Sequence, residues 1–381
     1  MFAAIEAFLP EAVAWRRDFH AHPELSFAEH RTGARVVELL RSFGCDVVET
    51  GWSGTGVVAV IEGRGPGRRI GLRADMDALP ISEASGVAFA SEAPGVMHAC
   101  GHDGHTAMLL AAAKYLAATR AFAGQAVLIF QPGEEAGGGA RAMIAEGFLT
   151  RYPLDEVYAL HNMPGLAVGA YATRPGPIMA AADMFSIEIS GRGGHAAQPH
   201  LALDPVMIAG HVLVALQTVV SRNVDPLKPA VLSVSTVVSA GSGACVIPAR
   251  VVLTGTVRSF DLAVQDLLED RLRAVVLGIA AAHGGVATVD YLRDAPATVN
   301  DAVCAGYALD VAWGLSGAVD GDVAPMMVSE DFSEFLNLVP GAFMFVGNGE
   351  GPLLHHPAYA FNDAGLPFGA AWLAGMVEAR G

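Results

Sequence analysis

His98-Ala99-Cys100-Gly101-His102-Asp103-Gly104-His105 packs a thiol, three imidazoles and a carboxylate into eight residues of a chain with 4 Cys and 13 His. Imidazole nitrogen and thiolate sulfur are the donors that borderline-soft divalent metals prefer. If residues 99–102 are extended, Cys100 and His102 project to the same side, because side chains alternate along a strand. Asp103 then reads as an N-cap opening a helix through Met108, Leu109, Ala112 and Leu116. A Cys-x-His pair is a weak signal by itself, so its meaning depends on what the rest of the chain brings beside it.

Outward from this stretch, helices and strands alternate. Helical spacing covers 1–20 and 29–43, the second carrying Val36, Val37, Leu39, Leu40 and Phe43. Short apolar runs at 56–62, 69–74, 126–130 and 156–160 read as strands of a sheet covered on both faces, with a helix at 139–147. Past Pro175-Gly176-Pro177 the pattern becomes strand 183–190, helix 204–221, strands 231–239 and 250–259, helix 262–282 and strand 286–292. That βαββαβ order implies an antiparallel sheet with two helices on one face. Alternation then resumes and includes a strand at 341–346. The expected fold is α/β with two domains, as the 381-residue length also favours. A catalytic α/β domain formed by 1–180 and 294–381 is interrupted by an inserted α+β domain, 181–293.

Polar residues fall just beyond the carboxyl ends of the predicted strands, where open α/β sheets carry their sites. Strand 69–74 ends at Asp75-Met76-Asp77, and 126–130 runs toward Glu134-Glu135. Strand 156–160 ends at His161-Asn162, and 341–346 leads to His355-His356. Each alone has an ordinary explanation: a turn cap, a solvated loop carboxylate, a structural histidine. Their joint occurrence at strand ends points to a metal site. Adjacent carboxylates can divide coordination and proton transfer between them. The donors exceed the roughly four that one tetrahedral zinc takes, and a thiolate can bridge two cations.

Composition narrows the remaining classes. The chain is 52% hydrophobic and 16% charged, with a mean hydropathy of +0.41. No uninterrupted apolar run reaches membrane-span length, and the first ten residues lack a basic stretch followed by an apolar core, so a soluble cytoplasmic protein is expected. The net charge of -16 disfavours nucleic acid and membrane surfaces as partners. Cys45, Cys100, Cys245 and Cys304 are too scattered for a disulfide framework; all but Cys100 read as small buried hydrophobes.

With these motifs in order, the chain resembles the amidohydrolases typified by hippurate hydrolase and the auxin–amino acid conjugate hydrolases, within the di-metal aminoacylase and carboxypeptidase superfamily. The resemblance runs nearly end to end. It is carried by Arg17-Asp18-Phe19-His20-Ala21-His22-Pro23-Glu24-Leu25, Leu72-Arg73-Ala74-Asp75-Met76-Asp77-Ala78-Leu79-Pro80 and the Cys100 segment. Glu134-Glu135, His161-Asn162, Gly191-Arg192-Gly193-Gly194-His195, Ser329-Glu330-Asp331-Phe332 and His355-His356-Pro357 complete it.

The resemblance implies metal ligands Cys100, His102, Glu135, His161 and His355, with Cys100 bridging two divalent ions, Zn2+ or Mn2+ with Co2+ or Ni2+ as options. It implies Glu134 as general base and Asp75 and Asp103 as carboxylates orienting imidazoles. The inserted domain becomes a lid and dimerisation element, making a homodimer in which His195 reaches a neighbouring subunit's site and donates to an oxyanion. The implied reaction is cleavage of an N-acyl-L-amino acid to a carboxylic acid and a free amino acid. The substrate carboxylate then needs a partner, for which Arg258 and Asn223 are the candidates. One departure is Cys245, which stands where relatives usually carry Asn. The competing readings are a metallo-carboxypeptidase or dipeptidase and a non-catalytic metal- or peptide-binding protein.

Overall fold

Four parallel strands form the middle of an eight-stranded sheet: Gln125–Gln131, Arg69–Asp75, Glu156–Pro164 and Gly341–Gly349, in that spatial order. Because neighbours are parallel, all four carboxyl ends emerge along one edge. The antiparallel pair Val47–Trp52 and Gly56–Glu62 extends one side, and the short strands Tyr171–Ala172 and Val319–Asp320 extend the other. Val127, Leu128, Ile129 and Phe130 are fully buried, as a continuous apolar run in a doubly covered sheet requires.

The computed structural model describes residues 1–241 and 243–381, and these divide into two compact units. The first comprises Met1–Ile178, Val299–Ala324 and Asp331–Gly381 and contains this sheet. Its helix His102–Thr119 is buried on nearly every side, in keeping with an apolar sequence all round. The expected helix over 1–20 is two helices, Phe2–Glu6 and Leu9–Ala21. Pro10 lies in the first turn of the second, where its missing N–H costs nothing; inside one continuous helix it would remove a hydrogen bond.

The second unit, Met179–Thr298 with Pro325–Glu330, holds a four-stranded antiparallel sheet. Its order is Ala230–Ser239, Arg250–Ser259, Ala181–Ser190, Val286–Ala295. Phe185, Ile187 and Ile189 alternate inward and share one core with Val212 and Leu216 of helix Pro205–Asn223 and Leu268, Leu272 and Val276 of helix Leu262–Ala282. The unit extends beyond the expected limit at 293 because its last strand continues through a bulge to Ala295. The Ala180 N–H also donates to the carbonyls of Met326 and Val328, drawing in the later segment. Helix Pro205–Asn223 is long and apolar enough by length and composition to cross a membrane, yet one of its faces lines this core.

Candidate metal centre

Gly101 decides how the Cys100 stretch is shaped. It adopts φ 89° and precedes the first residue of helix His102–Thr119. A Cβ there would lie 2.4 Å from Asn162 Nδ2 and 2.5 Å from Tyr359 Oη, so both the backbone conformation and the space demand glycine. Cys100 and His102 therefore converge through a left-handed turn, not through the extended alternation expected from sequence. Asp103 is not the N-cap; that position is Gly101, and Asp103 lies in the first turn.

Around this turn the parallel strands deliver the other donors. Cys100, His102 and His161 form one group whose donor atoms lie within 4.8 Å of one another, and Cys100, Glu135 and His355 form another. His102, Glu134 and Glu135 make a third. All five predicted ligands and the predicted base are thus gathered at the carboxyl edge of the sheet. His161 sits within its strand, which runs on to Pro164, and its Sγ neighbour Cys100 is 3.4 Å from Nε2. His355 is held in the left-handed region at φ 63°, and its N–H donates to the Ala99 carbonyl beside Cys100.

The hydrogen bonds around the donors fix which atoms face the cluster. His161 Nδ1 donates to the Asn162 carbonyl, leaving Nε2 with its lone pair. His102 Nδ1 bonds Asp77 Oδ1 at 3.3 Å, and the second Asp77 oxygen accepts from the Glu135 N–H at 2.9 Å. Asp77, not singled out for this role from sequence, is therefore the carboxylate hydrogen-bonded to a predicted ligand imidazole, while Asp75 and Asp103 each hold another imidazole. Asp75 instead accepts from His105 Nδ1 at 2.7 Å and lies 3.7 Å from His102 Nε2. Asp103 orients His20, which is outside the ligand set: Asp103 Oδ2 takes His20 Nδ1 at 2.9 Å and Arg16 at 3.2 Å. The other His20 nitrogen meets Glu83 at 3.1 Å.

Asn162 and Asp331 were not singled out as site residues from sequence. Asn162 Nδ2 donates to the Cys100 carbonyl, and its side-chain oxygen accepts from Tyr359. Asp331 accepts from Arg73, Gln131 and the Ala140 N–H, bracing the glycine-rich segment that follows Glu135. The signal for Asp77 was its spacing of two from Asp75 at a strand end; Asn162 offered only adjacency to His161.

Charge distribution tests whether a cation suits the cluster. His102 Nε2 and Glu135 Oε1 are buried, lack a hydrogen-bond partner and face each other at 3.8 Å. Buried polar atoms are nearly always paired, so both suit coordination. Burial opposes a charged His102, but Asp75, Cys100 and the Asp77 hydrogen bond outweigh it and hold this imidazole's pKa well above the ordinary value. Burial, with His105, keeps His161 well below its ordinary value and hence neutral. The site is thus an anionic environment that favours positive charge, with a neutral imidazole available to coordinate it. These residues fit a metal.

Four residues singled out from sequence belong to the second unit. His195 lies in a two-residue ribbon opposite Val246, and its Nδ1 accepts from the Ala197 N–H at 3.1 Å. A neutral ring so held carries its proton on Nε2 and can donate. Cys245 is exposed rather than a buried hydrophobe, and its carbonyl takes the Ala196 N–H. Arg258 donates to Thr256 Oγ1 at 2.6 Å and has no carboxylate partner in an ion pair among the described residues. Asn223 Nδ2 is occupied by the Thr218 carbonyl at 2.8 Å, a local helix-end bond.

Sulfur, imidazole and carboxylate donors at the carboxyl edge of a parallel sheet, with a second carboxylate next in sequence, define a metal-dependent hydrolase. The chain belongs to peptidase family M20/M25/M40, whose pattern matches residues 71–379, and it is an amide-bond hydrolase of that family. It is 43% identical over 93% of its length to N-acetyl-L-cysteine deacetylase of Bacillus subtilis (strain 168), covering 85% of that protein. It is 40% identical to hippurate hydrolase of Campylobacter jejuni, over 94% of each chain. A crystal structure of a Bacillus subtilis protein described as a dinuclear metal binding peptidase from the M20 family superimposes with TM-score 0.86 at 33% identity, over 98% of each chain.

Proposed function

We propose that this protein hydrolyses N-acyl-L-amino acids, releasing a carboxylic acid and a free amino acid. The observation that carries the reading is the pair of donor groups sharing Cys100, with Glu134 beside Glu135. Cys100, His102, Glu135, His161 and His355 would hold two divalent ions; zinc or manganese suits the mixed sulfur, nitrogen and oxygen donors, and cobalt or nickel is chemically compatible. When bound, such ions polarise the scissile carbonyl and acidify the attacking water.

Glu134 takes the proton of that water and returns it to the departing amine. Nε2–H of His195 donates to the oxygen on which negative charge develops, in the site of a neighbouring subunit. Arg258, half-buried near Asp183 and Asp294 but in no ion pair among the described residues, binds the amino acid carboxylate; Asn223 would do so only after giving up its bond to Thr218.

The second unit is the dimerisation element in this reading. Strand Ala230–Ser239 is a sheet edge with Val237 and Val238 exposed, and helix Pro205–Asn223 exposes Val206, Met207 and Val214. A twofold pairing covers the same patch on both copies. A cytoplasmic setting fits the four free thiols.

The test is amino acid release from N-acyl amino acids and dipeptides by chelated protein reconstituted separately with zinc, manganese, cobalt and nickel. Metal-dependent cleavage of acyl amino acids, with dipeptides untouched, is expected. Cleavage of dipeptides alone would make the protein a peptidase, and silence at full metal loading would make it a binding protein.

A further inference from the structure

Phe27 has φ 61°, in the left-handed region where a bulky aromatic residue is an outlier. Such a conformation persists only where the surroundings enforce it, and it concentrates at functional sites. Here the enforcement is visible. The Phe27 N–H donates to Glu29 Oε1 at 2.9 Å, and the same oxygen takes the Gly133 N–H at 2.9 Å. The other Glu29 oxygen takes the Thr55 hydroxyl, so this buried carboxylate is fully engaged. On the preceding residue, Ser26 Oγ donates to Asp77 Oδ2 at 2.6 Å. Asp77 also binds His102 and the Glu135 N–H, so the turn carrying Phe27 is fastened to the carboxylate that orients the donor cluster.

The strain is not offset by burying the ring. Phe27 remains 40% exposed, and neighbouring Leu25 39%. The distal edge of the ring rests on Gly133, where a Cβ would come within 2.5 Å of Cζ; Gly133 immediately precedes Glu134. A partly exposed aromatic ring is thus packed on the residue that immediately precedes Glu134.

We propose that Phe27 is a substrate-contacting residue that walls the acyl side of the site and selects bulky apolar or aromatic acyl groups over acetyl. The acyl assignment follows from the chemistry of the wall. The aromatic face offers a carboxylate no donor, and the side chains that fasten the turn, Glu29 and Asp77, only accept, whereas an apolar acyl group packs on the ring. The proposal rests on the amidohydrolase reading above.

The test compares N-benzoyl-L-alanine with N-acetyl-L-alanine in the metal-loaded wild type and in Phe27→Ala, Phe27→Gly and Phe27→Tyr. Removing the ring lowers the benzoyl-to-acetyl ratio of kcat/KM about 10-fold or more, as loss of a sizeable apolar contact does. Phe27→Tyr keeps the wild-type ratio. Phe27→Gly relieves the backbone strain and controls for folding, read by its thermal midpoint beside Phe27→Ala. A ratio unmoved in both ring-less variants overturns the wall, whether the two rates fall together or stay put. A wild type that releases alanine from neither substrate overturns the amidohydrolase reading, and the wall with it.

Discussion

Asp77 Oδ1 lies 3.3 Å from Nδ1 of His102, and this contact turns the other ring nitrogen toward the donor cluster. Carboxylates in this position set the tautomer and basicity of a metal-binding imidazole. Asp77→Asn is therefore expected to weaken metal affinity about 10- to 100-fold. Competition with a chromophoric chelator measures it; unchanged affinity would remove Asp77 from this role.

Glu134 and Glu135 are expected to separate on substitution. Glu134→Gln keeps its metal and loses about 10²- to 10⁴-fold in kcat, the usual worth of a general base. Glu135→Gln loses metal. Elemental analysis beside turnover distinguishes the two, and an active, metal-loaded Glu134→Gln would rule out the base assignment.

Arg258→Ala should raise KM for an N-acyl amino acid about tenfold while leaving KM for the corresponding amide unchanged, since only the acid offers a carboxylate to the guanidinium. Equal discrimination in both proteins would sink the assignment.

Glu156 predicts how the fold responds to acid. Burial raises its pKa, but hydrogen bonds from Arg380 and Tyr158 and the charge of Arg68 outweigh burial and hold it below the ordinary glutamate value. A depressed carboxylate stabilises the fold above its unfolded pKa, about 4.3, and that contribution is lost as pH falls through the folded value. Glu156→Gln should cost about 1–3 kcal/mol at neutral pH and flatten the acid limb of stability. Denaturant melts at several pH values measure both; parallel curves would refute it.

His20 predicts the opposite limb. Its two nitrogens face Asp103 and Glu83, and since carboxylates only accept, both must carry protons. Burial disfavours that charge, yet the two acids outweigh burial and raise the pKa. Stability from a raised histidine is complete below about pH 6.5 and declines as pH climbs through the folded value. In metal-free protein, His20→Gln should abolish that decline; an alkaline slope equal to the wild type's would contradict it.

Cys100, His102 and the strand-end residues were legible because thiol and imidazole are scarce and the strands announced their own carboxyl ends. The shape of the Cys100 turn was not, since glycine permits both extended and left-handed backbone and only Asn162 and Tyr359, distant in sequence, select between them. Asp103 misled for a related reason: a carboxylate before an apolar helix reads as a cap until Arg16 and His20 arrive from another helix to claim it. Asn223 looked like a free amide at a helix end, and its local bond to Thr218 is one that asparagine often makes. His355 follows a strand but owes its placement to a left-handed backbone that no periodicity signals.

Strand Gly341–Gly349 enters between two strands made much earlier, and His355 follows it near the end of the chain. During synthesis the group of Cys100, His102 and His161 can gather while the group that needs His355 is still unmade. A chain that ends between residues 161 and 355 carries Cys100, His102 and His161 but not His355, and so holds one donor group without the other. Assembly of both donor groups is thus deferred until almost the whole chain has been made.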